Sequence, residues 1–173
     1  AGAKKVVISA PVKGGENASV KGETILLGVN EEKFGTCDIT SNASCTTNAA
    51  SPLIAILGET LGIEKAILNT VHGYTASQGI VDGPVKTNGK QKDFREGRAA
   101  AQNIVPAATG AAIAATLALP ELAGKFDGVS LRVPVPVVSI SDITCLLSRD
   151  VTVEEVNQAF KDAVDNPIYQ GII

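Results

Sequence analysis

The chain has 173 residues, a net charge of −3, and 45% hydrophobic against 19% charged residues. This length suits one domain or a domain with part of another, and the composition excludes a disordered or collagen-like chain. The acidic balance argues against a nucleic-acid-binding face, and no apolar run approaches the length of a membrane span.

In chain order, residues 4–9 (KKVVIS) and 25–29 (ILLGV) read as short buried strands. A glycine-rich polar loop from Val12 to Thr24 separates them. A strand-like DITS at 38–41 runs into SNASCTTN at 41–48. The following residues, 49–62, place apolar side chains at helical spacing and stop at Gly62. Pro52 is expected in the first turns of that helix, where its missing N–H does little harm. Residues 63–72 read as a strand ending on His72, and 79–97, with Gly83, Pro84, Gly89 and Gly97, as a long loop.

Residues 98–104 suggest a short helix ended by Pro106. Thr109-Gly110 then opens a helix of small residues ending at Pro120. Segments 127–135 and 137–147 are β-rich, with Pro134 and Pro136 between them, and are expected to form an antiparallel pair with one covered face. Thr152 with Glu155 three residues on is a capping box that starts a last helix. The order of elements is α/β leading into α+β.

Cys37, Cys45 and Cys145 form an odd set without C-x-x-C, which argues against a disulfide framework and a zinc site. His72 is the one histidine, so chemistry needing an imidazole has a single candidate. Cys45 sits in a Ser/Asn/Thr cluster at the amino end of a helix, where unpaired N–H groups and the helix dipole favour a thiolate. A helix leaving a sheet and a strand returning to it could bring Cys45 and His72 together as nucleophile and base. The spacing allows the blander reading equally: a small buried cysteine and a satisfied strand-end histidine. Cys145, inside an apolar strand, reads as core packing.

Three further groups could hold an anion. Thr109-Gly110 precedes a helix, offering a hydroxyl and backbone N–H groups. Arg132 stands in an apolar strand and needs a carboxylate or a bound phosphate as partner. Thr75 and Ser77 follow His72 closely and could add hydroxyls.

SNASCTTN at 41–48 resembles the active-site signature of the phosphorylating glyceraldehyde-3-phosphate dehydrogenase family. The likeness continues through TVHGYTASQ (70–78), VDGP (81–84), GRAAAQNIVPAATGAA (97–112), LPELAGK (119–125) and RVPVPVVS (132–139). It implies that residues 1–44 are the C-terminal part of a Rossmann-type nucleotide-binding domain. Residues 45–173 would be a catalytic domain with a mainly antiparallel sheet and helices on one face.

The resemblance further implies that Cys45 attacks the aldehyde of glyceraldehyde 3-phosphate and that His72 is the general base. Hydride would pass to NAD, with NADP left open, and inorganic phosphate would release the acyl group as 1,3-bisphosphoglycerate. Ser44, Thr46, Thr109 and Gly110 match family positions for inorganic phosphate, and Thr75, Ser77 and Arg132 those for the substrate phosphate. A cytoplasmic homotetramer is the family form. No metal, nucleic acid or membrane partner is expected.

The chain departs from the family pattern in four places. No G-x-G-x-x-G follows a strand, so the main nucleotide-binding residues are expected outside these 173 residues. The family's closing strands and last helix also fall beyond Ile173. The 86–92 loop is longer than the common form, and Ile113 stands where many members carry lysine. The alternatives weighed are a non-catalytic fragment of that enzyme, a Cys-His hydrolase or acyltransferase, and the sister enzyme acting on erythrose 4-phosphate.

Overall fold

The computed structural model describes residues 2–12, 22–87, 90, 91 and 93–173. The chain divides into two compact units: Ala1–Ala66 with Ala111–Phe126 and Cys145–Ile173, and Ile67–Gly110 with Asp127–Thr144.

In the first unit, β1 (Val6–Ile8), β2 (Gly22–Thr24) and β3 (Ile39–Ser41) form a parallel sheet with β3 in the middle. The strand expected at 25–29 is instead a turn, and β2 lies just before it. Asn30 explains the difference: its buried side chain accepts from the Leu26 N–H at 2.9 Å and donates to the Thr24 carbonyl at 3.0 Å. A side chain thereby takes the backbone groups a strand partner would have used. The polar loop expected at 12–24 falls largely on residues 13–21, which lie outside the described residues.

Helix α1 (Cys45–Leu61) starts behind Ser44, whose Oγ accepts from the Thr47 N–H at 3.1 Å, and is closed by Gly62 at φ 73°. Pro52 stands in its third turn rather than its first, so the Asn48 carbonyl lacks its usual i+4 donor. After α2 (Ala111–Ala118), Pro120–Leu122 adds a single 3-10 turn, and the last helix is α3 (Val153–Val164). The capping box of α3 forms as expected, with Thr152 Oγ1 accepting from Glu155 N–H and Glu155 Oε2 from Thr152 N–H. Ile56 of α1 packs with Ala159, Ala163 and Tyr169, while Ala118 of α2 packs with Leu26 and Ala43.

The remaining strands are β4 (Ile63–Gly73), the short antiparallel pair β5 (Lys86–Thr87) and β6 (Lys90–Gln91), β7 (Val105–Ala108), β8 (Phe126–Val133) and β9 (Ser139–Leu147). Four of them form a sheet in the order β7-β8-β4-β9. The expected direct pairing of the two C-terminal strands is therefore corrected: β4 lies between β8 and β9. Residues 134–138 make the link, and Pro134 and Pro136 have no N–H to donate to a tight hairpin.

Ser148 N–H donates to the Gly62 carbonyl at 3.2 Å and Gly73 N–H to the Val138 carbonyl at 3.0 Å, so β9 runs against β4. β7 and β8 are also antiparallel, with Val105 opposite Arg132. At the β4–β8 seam, Ala66 N–H donates to the Lys125 carbonyl at 2.8 Å. Gly128 then approaches Leu68, so these two strands advance together. Two of the three pairings are thus antiparallel, in a mixed sheet.

The long loop expected at 79–97 carries structure of its own. Besides β5 and β6, it contains a 3-10 turn at Phe94–Gly97, and the Gly83 N–H donates to the Gly97 carbonyl at 2.9 Å. Asn88, Gly89 and Lys92 of the 86–92 segment lie outside the described residues. The helix expected at 98–104 is absent. Arg98 is extended there, and Asp82 accepts from both its side chain and the Ala99 N–H.

Candidate active site

Cys45 is the first residue of α1 and is exposed, which corrects the reading of it as a small buried residue. Ser44 before it supplies the cap, and its hydroxyl also lies 2.7 Å from Thr47 Oγ1. Thr46 is buried in the same first turn. Ala43, preceding the cap, holds φ 55°, a left-handed conformation an alanine rarely adopts. Its N–H donates to Ser41 Oγ at 3.1 Å, and that hydroxyl donates to the Ala10 carbonyl at 2.8 Å. The backbone entering α1 is thus pinned from β3, which fixes where Cys45 emerges.

The other two thiols differ. Cys37 is buried, with Sγ donating to the Ile39 carbonyl at 3.3 Å. Cys145 on β9 is half-buried, and burial pushes its thiol up from the ordinary cysteine value.

His72 is half-buried at the end of β4, in the second unit. Its Nδ1 lies 2.7 Å from the Gly73 carbonyl oxygen and 2.6 Å from Arg132 Nη1. Arg132 projects from β8 and is half-buried; Nη1 also reaches the Gly73 carbonyl at 3.5 Å. Among the described residues no carboxylate pairs with Arg132. The structural answer the sequence allowed, a carboxylate partner, is not the one found.

Three residues beyond His72, Thr75 Oγ1 and Ser77 Oγ stand 3.0 Å apart in one turn. Tyr74 N–H donates to the Val135 carbonyl at 3.1 Å, which ties that turn to the link after β8. Gln78, buried, accepts from Thr75 N–H at 3.2 Å. Thr109 is half-buried and Gly110 exposed, immediately after β7. Ile113 is exposed on α2.

In the first unit Ser44, Cys45 and Thr46 share one helix start. In the second, His72 and Arg132 touch, with Thr75 and Ser77 on the adjoining turn. The His72–Arg132 contact was not foreseen; its sequence signal was a lone arginine in an apolar strand.

A family model described as the C-terminal domain of glyceraldehyde 3-phosphate dehydrogenase matches residues 44–173. The chain belongs to this family. It is 49% identical over 174 aligned residues to the glyceraldehyde-3-phosphate dehydrogenase of Mycolicibacterium smegmatis, covering 100% of this chain and 47% of the relative. It is 48% identical to that of Streptomyces coelicolor, covering 99% and 48% respectively. It is 47% identical to glyceraldehyde-3-phosphate dehydrogenase 1 of Bacillus subtilis, covering 100% and 48%. The chain thus spans about half the length of the curated relatives it matches.

No G-x-G-x-x-G turn occurs in the sequence, and the parallel strands of the first unit are three residues each. No helix of the described residues is long and apolar enough to cross a membrane.

Proposed function

We propose that the protein carrying this chain is a phosphorylating glyceraldehyde-3-phosphate dehydrogenase. The observation that carries the reading is an exposed cysteine at the first position of a capped helix, within a segment that the family model matches. Residues 1–44 then close the nucleotide-binding domain and 45–173 belong to the catalytic domain. The all-parallel sheet ahead of α1 and the start of the match at Ser44 support that division.

In this reading the Cys45 thiolate attacks the aldehyde carbon and forms a hemithioacetal. The helix start offers its N–H groups to the developing oxyanion. His72 takes the hydroxyl proton as the hydride leaves, and a thioester on Cys45 results. NAD, when bound to the rest of the protein, supplies the hydride acceptor. Ser44, Thr46, Thr109 and Gly110 hold the inorganic phosphate that attacks the thioester. Thr75, Ser77 and Arg132 hold the substrate's own phosphate, the guanidinium through paired N–H donors. The protein is read as a cytoplasmic homotetramer, following the family resemblance.

The test is NADH formation by the full-length protein with glyceraldehyde 3-phosphate, with and without inorganic phosphate. Turnover is expected to require phosphate and to vanish in Cys45→Ser. Hydrolysis of an acyl thioester by water alone, with no NADH formed from the aldehyde, would instead support a Cys-His hydrolase, and faster turnover of erythrose 4-phosphate the sister enzyme.

A further inference from the structure

Asn48, half-buried in the first turn of α1, reaches back over the start of the helix. Its Nδ2 donates to the Asn42 carbonyl at 2.7 Å and to the Ser44 carbonyl at 2.9 Å, one hydrogen to each. These two carbonyls flank Ala43, the residue held at φ 55°. The backbone N–H of Asn48 also donates to the Ser44 carbonyl, at 3.0 Å. Both lone pairs of that oxygen are thus engaged by one residue. Asparagine is a mediocre helix former because its amide competes for backbone groups, and here that competition is turned on the helix start itself.

The Ser44 carbonyl and the Cys45 N–H belong to one planar peptide unit and point in opposite directions. Two donors on the oxygen therefore fix the line along which that N–H lies. They also draw electron density onto the oxygen, which makes the N–H across the unit a stronger donor. The same residue carries the sulfur, so its N–H and its nucleophile are set together. A donor aimed in advance at developing charge stabilises it more than one that must reorient during the reaction.

We propose that Asn48 is a positioning residue: through Nδ2 it holds the Ser44 carbonyl, and so orients and polarises the Cys45 N–H toward the oxygen that becomes negative when a carbonyl on the sulfur turns tetrahedral. The role needs no contact between Asn48 and the substrate. Its second bond, to Asn42, has a separate task. The Asn42 N–H donates to the Ile8 carbonyl of β1 at 2.9 Å, so this bond ties the turn at Ala43 to the sheet. The inference rests on the proposed role of Cys45 as nucleophile.

The same helix shows how to separate the two bonds. Thr60 Oγ1 donates to the carbonyl four residues earlier, that of Ile56, at 2.6 Å. Asn48→Thr therefore keeps a side-chain donor on the Ser44 carbonyl and gives up the one on Asn42, whereas Asn48→Val has the same shape and gives up both. The test uses the full-length protein acetylated with 4-nitrophenyl acetate labelled with 13C at the carbonyl. The thiolate attacks that carbon, 4-nitrophenolate leaves, and an acetyl thioester stays on the sulfur. Infrared difference spectra, with the Cys45→Ser protein as blank, isolate the carbonyl stretch on Cys45. It is expected at lower frequency than in a free thioester for the unmutated and Thr proteins, and shifted back toward the free value for Val.

The kinetic counterpart is a split between kcat and KM. Asn48→Val is expected to lose roughly tenfold in kcat, a fraction of the roughly 100- to 1,000-fold lost when an oxyanion donor is removed outright. KM for glyceraldehyde 3-phosphate stays within about twofold, and Asn48→Thr recovers most of kcat. An unmutated protein whose acetyl carbonyl absorbs like a free thioester overturns the proposal, and needs no variant to fold. So do Thr and Val proteins with the same frequency. Should Asn48→Val not fold, Asn48→Ala against Asn48→Ser repeats the comparison. If the frequency responds to residue 48 but no NADH forms from glyceraldehyde 3-phosphate, the role of Asn48 stands and the dehydrogenase reading fails. If NADH forms and the frequency does not respond, the reverse holds.

Discussion

Ala43 carries the strain that positions Cys45. A left-handed alanine costs about 1–2 kcal/mol, and the residue is also buried among Leu26 and Ala118. Ala43→Gly removes the strain but also a methyl worth about 0.8 kcal/mol and adds freedom to the unfolded chain. The two sides nearly cancel, so chemical denaturation is expected to show a change within about 1 kcal/mol. Ala43→Val puts a β-branched side chain at positive φ in a filled space and is expected to cost more than about 2 kcal/mol. Equal tolerance of both variants would show that the backbone entering α1 is not pinned as described.

The three thiols give a second expectation at this scale. Iodoacetamide at neutral pH, mapped by mass spectrometry, is expected to modify Cys45 well ahead of the others. Cys37 is 5% exposed, and Cys145 is held in the thiol form by burial, so its labelling rises only toward alkaline pH. Cys145 reacting as fast as Cys45 near neutrality would contradict this. The cysteine's place at a helix start was legible because a cap and an apolar period are local signals. The His72–Arg132 contact was not, because it joins residues 60 apart whose meeting depends on strand order.

Among the elements, what was legible divides along the same line. The α1 stop at Gly62 and the Thr152–Glu155 box sit within a few residues of the structure they specify. Strand neighbours do not: nothing in residues 126–147 announces that β4 enters between β8 and β9. Residues 25–29 misled because burial alone cannot distinguish a strand from a turn, and the side chain of Asn30 decided it.

The 79–100 segment shows how a loop without regular length is nonetheless held. Gly79 N–H donates to the Glu96 carbonyl, Ala100 N–H to the Gly79 carbonyl, and Gly83 N–H to the Gly97 carbonyl. A Cβ at Gly97 would stand 2.2 Å from the Gly83 carbonyl oxygen, a backbone atom with no rotamer to escape by. Gly97→Ala is therefore expected to part this clamp. Limited proteolysis should cut within 79–100 several-fold faster, while the global unfolding midpoint moves little, since the opening is local. An unchanged cleavage pattern would show the clamp yields without opening.

At the scale of the whole molecule, the chain's last residues are tied to α1 by one aromatic side chain. Tyr169 is 3% exposed, packs with Ile56, Ala159 and Ala163, and donates its hydroxyl to Glu59 Oε2 at 3.2 Å across 110 residues of sequence. Burial first, and then the Glu59 carboxylate, push its phenol up to about 12 from an ordinary value of 10. The unfolded chain releases this proton near pH 10 while the folded chain keeps it. Between these values the folded state binds more protons, so stability falls as pH rises through that interval. Below pH 10 the contribution is fully present.

Tyr169→Phe keeps the ring and deletes the titration. Its urea midpoint, followed by circular dichroism, is expected to decline less steeply than that of the unmutated protein between pH 10 and 12. At neutral pH the variant loses one hydrogen bond, about 1 kcal/mol, and leaves Glu59 to solvent. Parallel alkaline limbs for the two proteins would mean that Tyr169 ionises without opening the α1–α3 seam, and that the C-terminal segment is held by its apolar contacts alone.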